Sequence, residues 1–144
     1  MFHKLLVPTD GSDISIAAAL RAVPLAKMAG AGMTVLFVQD TYPYAGIGEA
    51  NAAGLQAYVA VALAEGTRGV ERVVEVAKAE GVTVDTLVVE DRQPAKGIVD
   101  AAASCGADLI VMGSHGRSGM AKLVLGSVAA KVLVLSPLPV LIVK

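Results

Sequence analysis

Several residue types that mark particular classes of protein are scarce in this sequence. Its 144 residues include one cysteine, no tryptophan, two phenylalanines and three tyrosines. A single cysteine, Cys105, cannot form an internal disulfide, and its small apolar neighbours suggest that it packs in a helix. A net charge of −1 and few aromatic rings argue against a nucleic-acid surface, which needs a basic face and stacking rings. We therefore expect no nucleic-acid partner.

Long apolar runs are also missing. No uncharged run approaches the roughly 20 residues that a membrane-spanning helix needs. The N-terminal stretch MFHKLLVPTDGSD becomes charged too soon to be a signal peptide. We therefore expect no membrane segment and a cytoplasmic location.

The sequence is instead rich in aliphatic residues, and 55% of it is hydrophobic. That content comes mainly from Ala, Val and Leu, which suits helices packed tightly on a sheet. No internal repeat occurs, and the length is typical of one domain with its own core. We predict a single globular domain over residues 1–144.

Apolar runs of strand length alternate with helical patterns along the chain. Strands are predicted at about 4–8, 33–38, 83–89, 107–112 and 140–143, and helices at about 12–30, 49–81, 94–104 and 126–135. Every connection is long enough for a crossover, so the sheet should be parallel with helices on both faces. The expected fold is a doubly wound α/β domain, whose ligands lie at the carboxyl ends of the strands.

Local patterns give further expectations for the first helix and strand. Pro8 should end the first strand, Ser12 or Asp10 should cap the helix, and Pro24 should kink it or remove one hydrogen bond. The helix residues available for burial are Ile14, Ala17, Ala18, Leu25 and Met28.

The middle of the chain is less regular. Glycines 54, 66 and 69 favour a break or a kink in the second helix. Polar residues in the third predicted strand, including Asp85, indicate an edge position. The stretch 39–48 has the glycine, proline and tyrosine content of a loop beside a site.

The most informative stretch runs from Met112 to Val128. It combines a buried strand end, Gly113 and Gly116, and then Gly126-Ser127 at the start of a helix. Glycines let backbone N–H groups approach an anion, and a helix N-terminus presents unpaired N–H groups and a positive dipole end. Every Asp and Glu lies upstream of this stretch, which leaves a basic C-terminal segment. Phosphate binding is favoured; the alternative is a simple turn followed by a solvated helix face.

Two common nucleotide motifs are absent from the sequence. No G-x-G-x-x-G follows the first strand, and no G-x-x-x-x-G-K-[ST] occurs. The turn after the first strand instead supplies Asp10, which can accept hydrogen bonds from sugar hydroxyls or a base amine. Asp10 can also be only a helix cap. A glycine loop on one strand and an acid on another together suggest a mononucleotide site.

The two histidines receive different interpretations. His115 lies inside the glycine loop without a titratable neighbour in sequence, so ligand contact or solvent exposure is favoured over acid–base catalysis. His3 is expected at a strand edge without a chemical role.

Four blocks of sequence, taken in order, resemble one known family. LLVPTDGS, LFVQD, MGSHGRSGMAKLVLGSV and PVLIV are similar to the universal stress proteins, specifically to the branch with the motif G-x₂-G-x₉-G-[ST]. The resemblance covers essentially the whole chain. It implies an adenine-nucleotide alpha-hydrolase-like (Rossmann-like) fold with strand order 3-2-1-4-5, ATP binding, homodimers and a regulatory role in stress response.

The resemblance also implies a set of binding residues. In the first half of the chain they are Pro8, Thr9 and Asp10 along the adenosine, with Val38 by the adenine. Around the ribose and phosphates they are Met112, Gly113, Gly116, Arg117, Gly126, Ser127 and Val128. A divalent cation, Mg²⁺, is expected on the phosphates, with no protein-only metal site and no catalytic residue.

Other functions stay open at this point. Cyclic AMP is an alternative ligand, and a slow ATPase or phosphotransferase is an alternative activity, although no obvious base supports it. A dimerisation module without nucleotide is a third possibility, which the intact glycine loop disfavours. We expect a nucleotide-binding protein that is not an enzyme.

The last predicted strand indicates how the protein assembles. Under the order 3-2-1-4-5, residues 140–143 form an uninterrupted apolar edge strand, and monomers usually protect such edges. Antiparallel pairing with the same strand of a second subunit would satisfy both edges, so we predict a homodimer through 140–143. The alternative is that another part of the chain covers this edge.

Overall fold

The computed structural model describes residues 1–40, 52–116 and 124–144, and the predicted loop at 39–48 falls largely outside these ranges. Nine elements are described: β1 Lys4–Thr9, α1 Asp13–Ala29, β2 Gly32–Asp40, α2 Ala52–Ala79, β3 Val84–Asp91, α3 Pro94–Cys105, β4 Leu109–Gly113, α4 Ser127–Leu135 and β5 Val140–Val143. Strands and helices alternate as the sequence predicts. No helix in the described ranges is long and apolar enough to cross a membrane.

The five strands form one sheet in the order β3-β2-β1-β4-β5. All four neighbouring pairs are parallel. The predicted doubly wound fold and its strand order are therefore confirmed, as is the edge position of β3. The winding direction reverses between β1 and β4, which places the expected ligand crevice at their carboxyl ends.

Two apolar layers hold the helices on the sheet. Alternate residues of β1 point to opposite faces, so Leu5 packs with the α1 and α2 layer and Leu6 packs with the α3 and α4 layer. Both side chains are fully buried. Central strands covered on both faces in this way explain the continuous apolar runs in the sequence.

The caps of α1 agree with the sequence, but its buried face does not. The Ser12 hydroxyl accepts the Ser15 N–H at 3.3 Å, and Gly30 ends the helix with φ +63°. Of the residues expected in the core, Ala18 is buried, whereas Ile14, Ala17 and Met28 are exposed and Leu25 is half-buried.

The buried stripe of α1 runs instead through residues one or two positions away. They are Ser15, Ile16, Ala18, Ala19, Ala22, Val23 and Ala26. Apolar residues lie on most sides of this helix, so two overlapping stripes satisfy the same helical spacing. Packing against the sheet selects between them, which the spacing alone cannot do.

β1 continues through Pro8 to Thr9, so the predicted stop at Pro8 is wrong by one residue. Hydrogen bonds at the start of β1 show which neighbouring strand each of its residues faces. The His3 carbonyl accepts an N–H from β2, while the Lys4 carbonyl accepts the Asp108 N–H on the β4 side. Since this direction alternates, the nitrogen of Pro8 faces β4, beyond the last β1–β4 pair at Leu6. The missing N–H of proline thus falls where the two strands separate.

Helix α2 is continuous over 28 residues, so a break at its glycines is wrong, and a kink stays a prediction. A Cβ on Gly66 would lie 2.5 Å from the Phe37 ring, and one on Gly69 would lie 2.7 Å from the Ile16 side chain. These glycines let α2 approach the sheet and α1 closely. Their role is packing, and the burial of Val70, Val73 and Ala77 offsets their low helix propensity.

Candidate functional site

A cavity of about 760 Å³ opens at the carboxyl ends of β1, β2 and β4. Ten of the eleven residues that the sequence singled out line it: Pro8, Thr9, Asp10, Val38, Met112, Gly113, Gly116, Gly126, Ser127 and Val128. The eleventh, Arg117, lies outside the described residues. Residues more than 100 positions apart in the chain therefore meet at the point where the winding reverses.

One wall of the cavity is the turn after β1. Asp10 Oδ1 accepts hydrogen bonds from the Ser12 N–H at 3.0 Å, the Ser12 hydroxyl at 2.6 Å and the Ser15 hydroxyl at 2.7 Å. The buried Thr9 hydroxyl lies 2.6 Å from that of Ser15 and accepts the Gly11 N–H at 3.1 Å. This network fixes the Asp10 carboxylate at the start of α1, so its helix-capping role and a place in the site are compatible.

The opposite wall is the glycine loop after β4. A Cβ on Gly116 would lie 2.5 Å from Asp10 Oδ2, and a Cβ on Gly126 would lie 2.8 Å from the Ser114 carbonyl oxygen. A Cβ on Gly113 would lie 3.2 Å from the Ala18 methyl group. A side chain on Gly116 would displace the Asp10 carboxylate, and one on Gly126 would push the start of α4 away from Ser114. The glycines therefore bring the loop onto the β1 turn.

Helix α4 points its N-terminus into the same cavity. Gly126 is its N-cap and has no side chain to satisfy the first turn, while its own N–H donates to the Ser114 carbonyl at 2.7 Å. The next three residues, Ser127, Val128 and Ala129, all line the cavity. Their N–H groups have no acceptor within the helix, so this end carries the partial positive charge that suits an anion.

His115 belongs to the glycine loop and lines the cavity. Its Nδ1 is 2.9 Å from the Ser114 hydroxyl. Its Nε2 is buried, and no hydrogen-bond partner for it occurs in the ranges 1–40, 52–116 and 124–144. The burial of Nε2 goes against the solvent exposure that the sequence left open for this residue, while ligand contact stays a prediction.

Much of the remaining surface of the cavity is apolar. Val38 and Met112 belong to the core layer under α3 and α4, and Ile98 of α3 lies beside them. Four residues of α2 close the cavity from the other side: Tyr58, Val59, Ala62 and Leu63. These α2 residues and Glu90 were missed by the sequence reasoning, since no motif marks them. The packing of α2 brings its four residues to the site, and the carboxyl end of β3 brings Glu90.

His3, as expected, lies at a strand edge far from this cavity. Its backbone N–H and its Nδ1 contact Asp108 Oδ2 at 2.8 and 3.2 Å, and the Lys4 N–H donates to Asp108 Oδ1 at 3.0 Å. Desolvation raises the pKa of the Asp108 carboxyl, but these hydrogen bonds outweigh it and hold that pKa below its usual value. The contacts join the start of β1 to the residue before β4.

No group of three or more His, Cys, Asp or Glu side chains that could hold a metal ion occurs among the described residues. Among the described residues that line the cavity, the charged and titratable side chains are Asp10, Tyr58, Glu90 and His115.

A parallel five-stranded sheet in this order, with a glycine-lined crevice at its switch point, defines a doubly wound α/β domain. The sequence model of the Universal stress protein family matches residues 1–144. The chain therefore belongs to the universal stress protein family.

Curated relatives and solved structures agree with this assignment. Universal stress protein YxiE of Bacillus subtilis is 38% identical over the full length of both chains. Universal stress protein MJ0531 of Methanocaldococcus jannaschii is 37% identical over all of this chain and 83% of its own length. Universal stress protein UspA from Lactobacillus plantarum has a similar structure, with a TM-score of 0.81, 27% identity and coverage of 99% and 97% of the two chains.

One solved structure carries a ligand in its description. A universal stress protein in complex with cAMP superposes with a TM-score of 0.66 and 30% identity, over 99% of this chain and 97% of that one. An adenine nucleotide is therefore bound by a relative with the same fold.

Proposed function

We propose that this protein is a regulatory adenine-nucleotide-binding protein that holds ATP, with Mg²⁺ on the phosphates, in the cavity between the β1 turn and the glycine loop. One observation carries the proposal: residues from two distant motifs line one cavity, and a Cβ at Gly116 or Gly126 would obstruct its walls. The cAMP-bound relative supports an adenine nucleotide as the ligand class.

The apolar end of the cavity suits the adenine base. Pairing between β1 and β2 ends at Thr9 and Phe37. The N–H and carbonyl groups of successive strand residues point alternately to the two neighbouring strands. Because the Gly32 N–H points towards β1, the N–H and carbonyl of Val38 also point towards β1. The Val38 carbonyl lies beyond the last pair and is positioned to accept a hydrogen bond from the exocyclic amine of adenine. Guanine would present a carbonyl oxygen there, which favours adenine over guanine.

The glycine end suits the phosphates. The first turn of α4 offers N–H groups and the Ser127 hydroxyl, and the glycines let phosphate oxygens come close to the backbone. Mg²⁺ would supply charge neutralisation and bridge the phosphates when bound. Phosphate oxygens would be its main ligands, in keeping with the preference of Mg²⁺ for oxygen donors.

We expect the protein to catalyse little ATP hydrolysis. Phosphoryl transfer requires an oriented nucleophile besides charge stabilisation. The acid nearest the glycine loop, Asp10, has its Oδ1 occupied by Ser12 and Ser15, which commits that oxygen to the turn. We expect a purified sample to release phosphate far more slowly than the roughly 1 s⁻¹ typical of kinases. Turnover at or above that rate would contradict this part of the proposal.

Calorimetric titration tests the placement of the site. Gly126→Val puts a branched side chain against the Ser114 carbonyl and should abolish ATP binding. The matched control is Gly54→Ala, because a Cβ on Gly54 meets nothing within 4 Å and the residue does not line the cavity. Equal ATP affinity in the wild type and in folded Gly126→Val would contradict the placement.

Cyclic AMP is the second candidate ligand, favoured by the complex of the relative. Parallel titrations with ATP, cAMP and GTP rank the three. Tighter binding of cAMP than of ATP would assign the site to the cyclic nucleotide. Equal binding of GTP would contradict the adenine-specific role of Val38.

A further inference from the structure

Every polar group of Ser114 is used within the fold. Its N–H donates to the Val143 carbonyl at the end of β5 at 3.0 Å, and its carbonyl accepts the Gly126 N–H at 2.7 Å. Its hydroxyl lies 2.9 Å from His115 Nδ1, and the residue is only 9% exposed. Ser114 is thus fixed between β5 and the start of α4, and its hydroxyl contacts the neighbouring His115 ring.

The His115 ring is bonded at one nitrogen and unsatisfied at the other. Nδ1 meets the Ser114 hydroxyl, whereas Nε2 is buried without a partner among the described residues. A neutral imidazole has one donor and one acceptor nitrogen. If the serine hydroxyl donates to Nδ1, the ring proton must lie on Nε2, which gives a residue that lines the cavity a buried donor.

The charge of the ligand decides which tautomer of His115 would stabilise it. A donor at Nε2 stabilises an anionic oxygen, while the opposite tautomer would direct a lone pair at the anion. The neighbouring N-terminus of α4 favours an anion at the same place. Gly116 lets the loop lie against the Asp10 carboxylate, whose Oδ1 already accepts three hydrogen bonds.

We propose that Ser114 is a positioning residue: its hydroxyl holds the His115 imidazole in the tautomer that directs the Nε2 proton at a phosphate oxygen of the bound nucleotide. This inference rests on the proposed function, since it requires a phosphate-bearing ligand in the cavity. It assigns to Ser114 a role in phosphate recognition without contact to the ligand.

The first test compares a ligand with phosphates and one without. Dissociation constants for ATP with Mg²⁺ and for adenosine are measured by titration of backbone amide NMR shifts, which covers millimolar affinities. His115→Ala should weaken ATP binding about tenfold or more, since a hydrogen bond to a charged group is lost, and Ser114→Ala should weaken it about threefold to tenfold. Adenosine affinity should change less than about twofold in both variants. Ser114→Thr, which keeps the hydroxyl, should restore most of the ATP affinity.

The second test reads the tautomer directly in the wild type. Nitrogen-15 shifts of the His115 ring should report a protonated Nε2 and an unprotonated Nδ1 in the nucleotide-bound state, and Ser114→Ala should shift the ring towards a mixture of tautomers. A proton on Nδ1 in the bound wild type would overturn the proposal, even if the variants failed to fold.

The binding outcomes separate this inference from the function on which it rests. A wild type that binds no ATP overturns both. ATP binding in the wild type with unchanged affinity in His115→Ala or Ser114→Ala overturns the positioning role alone. Equal losses for ATP and adenosine in Ser114→Ala would assign a purely structural role to Ser114 and would also overturn it.

Discussion

Two buried threonines differ in how their hydroxyls are satisfied. Thr9 Oγ1 is bonded to the Ser15 hydroxyl and the Gly11 N–H, whereas Thr34 Oγ1, on β2, has no partner within the described part of the chain. Burying an unpaired hydroxyl costs about 1–3 kcal/mol. Thr34→Val keeps the shape and removes that cost, so we predict that it raises the free energy of unfolding by about 1 kcal/mol. Urea denaturation measures the change.

Thr9→Val is the matched control for that substitution. It removes an acceptor and a hydroxyl partner at a buried position, so it should lower the free energy of unfolding by about 1 kcal/mol. A Thr34→Val variant that is destabilised as much as Thr9→Val would contradict the assignment of Thr34 as unsatisfied.

Asp108 gives a prediction for the pH dependence of stability. Each of its oxygens accepts a backbone N–H, from His3 and from Lys4, and its pKa is held below the usual value in the folded state. A depressed folded pKa stabilises the protein above the unfolded pKa, near 3.9, and that contribution is lost as the pH falls through the folded value. Asp108→Asn should therefore be less stable than the wild type at pH 7, and the difference should shrink below about pH 4.

Urea denaturation of both proteins between pH 7 and pH 3 checks this. An Asp108→Asn deficit that stays constant over the range would mean that charge has no part in the contact. Thr67→Ala is a suitable control, since the Thr67 hydroxyl donates to the Leu63 backbone carbonyl and the contact involves no titratable group.

At the scale of single residues, site positions are predicted best from the sequence where the backbone geometry requires one residue type. Gly116 and Gly126 must lack a Cβ because their walls approach too closely, and that requirement appears directly as glycine in the sequence. Tyr58 and Leu63 line the same cavity for a different reason, namely where α2 packs. Many residues would serve at those positions, so no motif marks them.

Among the elements, α2 offers a direct comparison between its glycines. Gly→Ala in a helix interior usually stabilises by about 1 kcal/mol, and Gly54→Ala, in the first turn of α2, should gain a smaller part of that because its Cβ meets nothing within 4 Å among the described residues. Gly66→Ala should instead destabilise by about 1–3 kcal/mol, since its Cβ would overlap the buried Phe37 ring. Opposite signs in urea denaturation are the expected result.

A stabilising Gly66→Ala would contradict the close contact between α2 and the sheet. Phe37→Leu provides a second check, because a smaller side chain should relieve the overlap. The cost of Gly66→Ala should be lower in the Phe37→Leu background than in the wild type, and a double-mutant cycle measures the coupling.

The boundaries and buried faces of elements show where prediction from sequence weakens. The position of β5 is predicted correctly, because its apolar run is bounded by prolines and the final lysine. The buried face of α1 is not, since Ile14 and Ile16 both fit a helical stripe and only packing chooses Ile16. Pro8 belongs to β1 because its nitrogen faces the gap beside β4, which depends on the sheet order.

For the whole molecule, the alternation of strands and helices was sufficient to predict a parallel doubly wound sheet. The strand order came from the family resemblance, and periodicity alone does not determine it. That order brings Pro8 and Gly113 to adjacent strands and creates the crevice. It also leaves β3 and β5 at the two edges, which bears on assembly.

The two edge strands differ in how they are protected. β3 carries the acidic residues Asp85, Glu90 and Asp91, and charge on an edge discourages pairing with another chain. β5 is four aliphatic residues without charge, and Leu141 is 42% exposed. The neighbouring α4 exposes Val134 by 84%. We propose that β5 pairs antiparallel with the same strand of a second subunit, so that the two edges satisfy each other.

Substitutions at the two edges test this assembly. Leu141→Lys places a charge in the proposed contact and should convert a dimer into a monomer, as measured by light scattering at several concentrations. Val88→Lys is the matched control, because Val88 is 63% exposed on β3 and should leave the dimer intact. A monomeric wild type would contradict the proposal, and so would a Leu141→Lys variant that stays fully dimeric. Dissociation by Val88→Lys alone would move the interface to β3, where two acidic edges would have to meet.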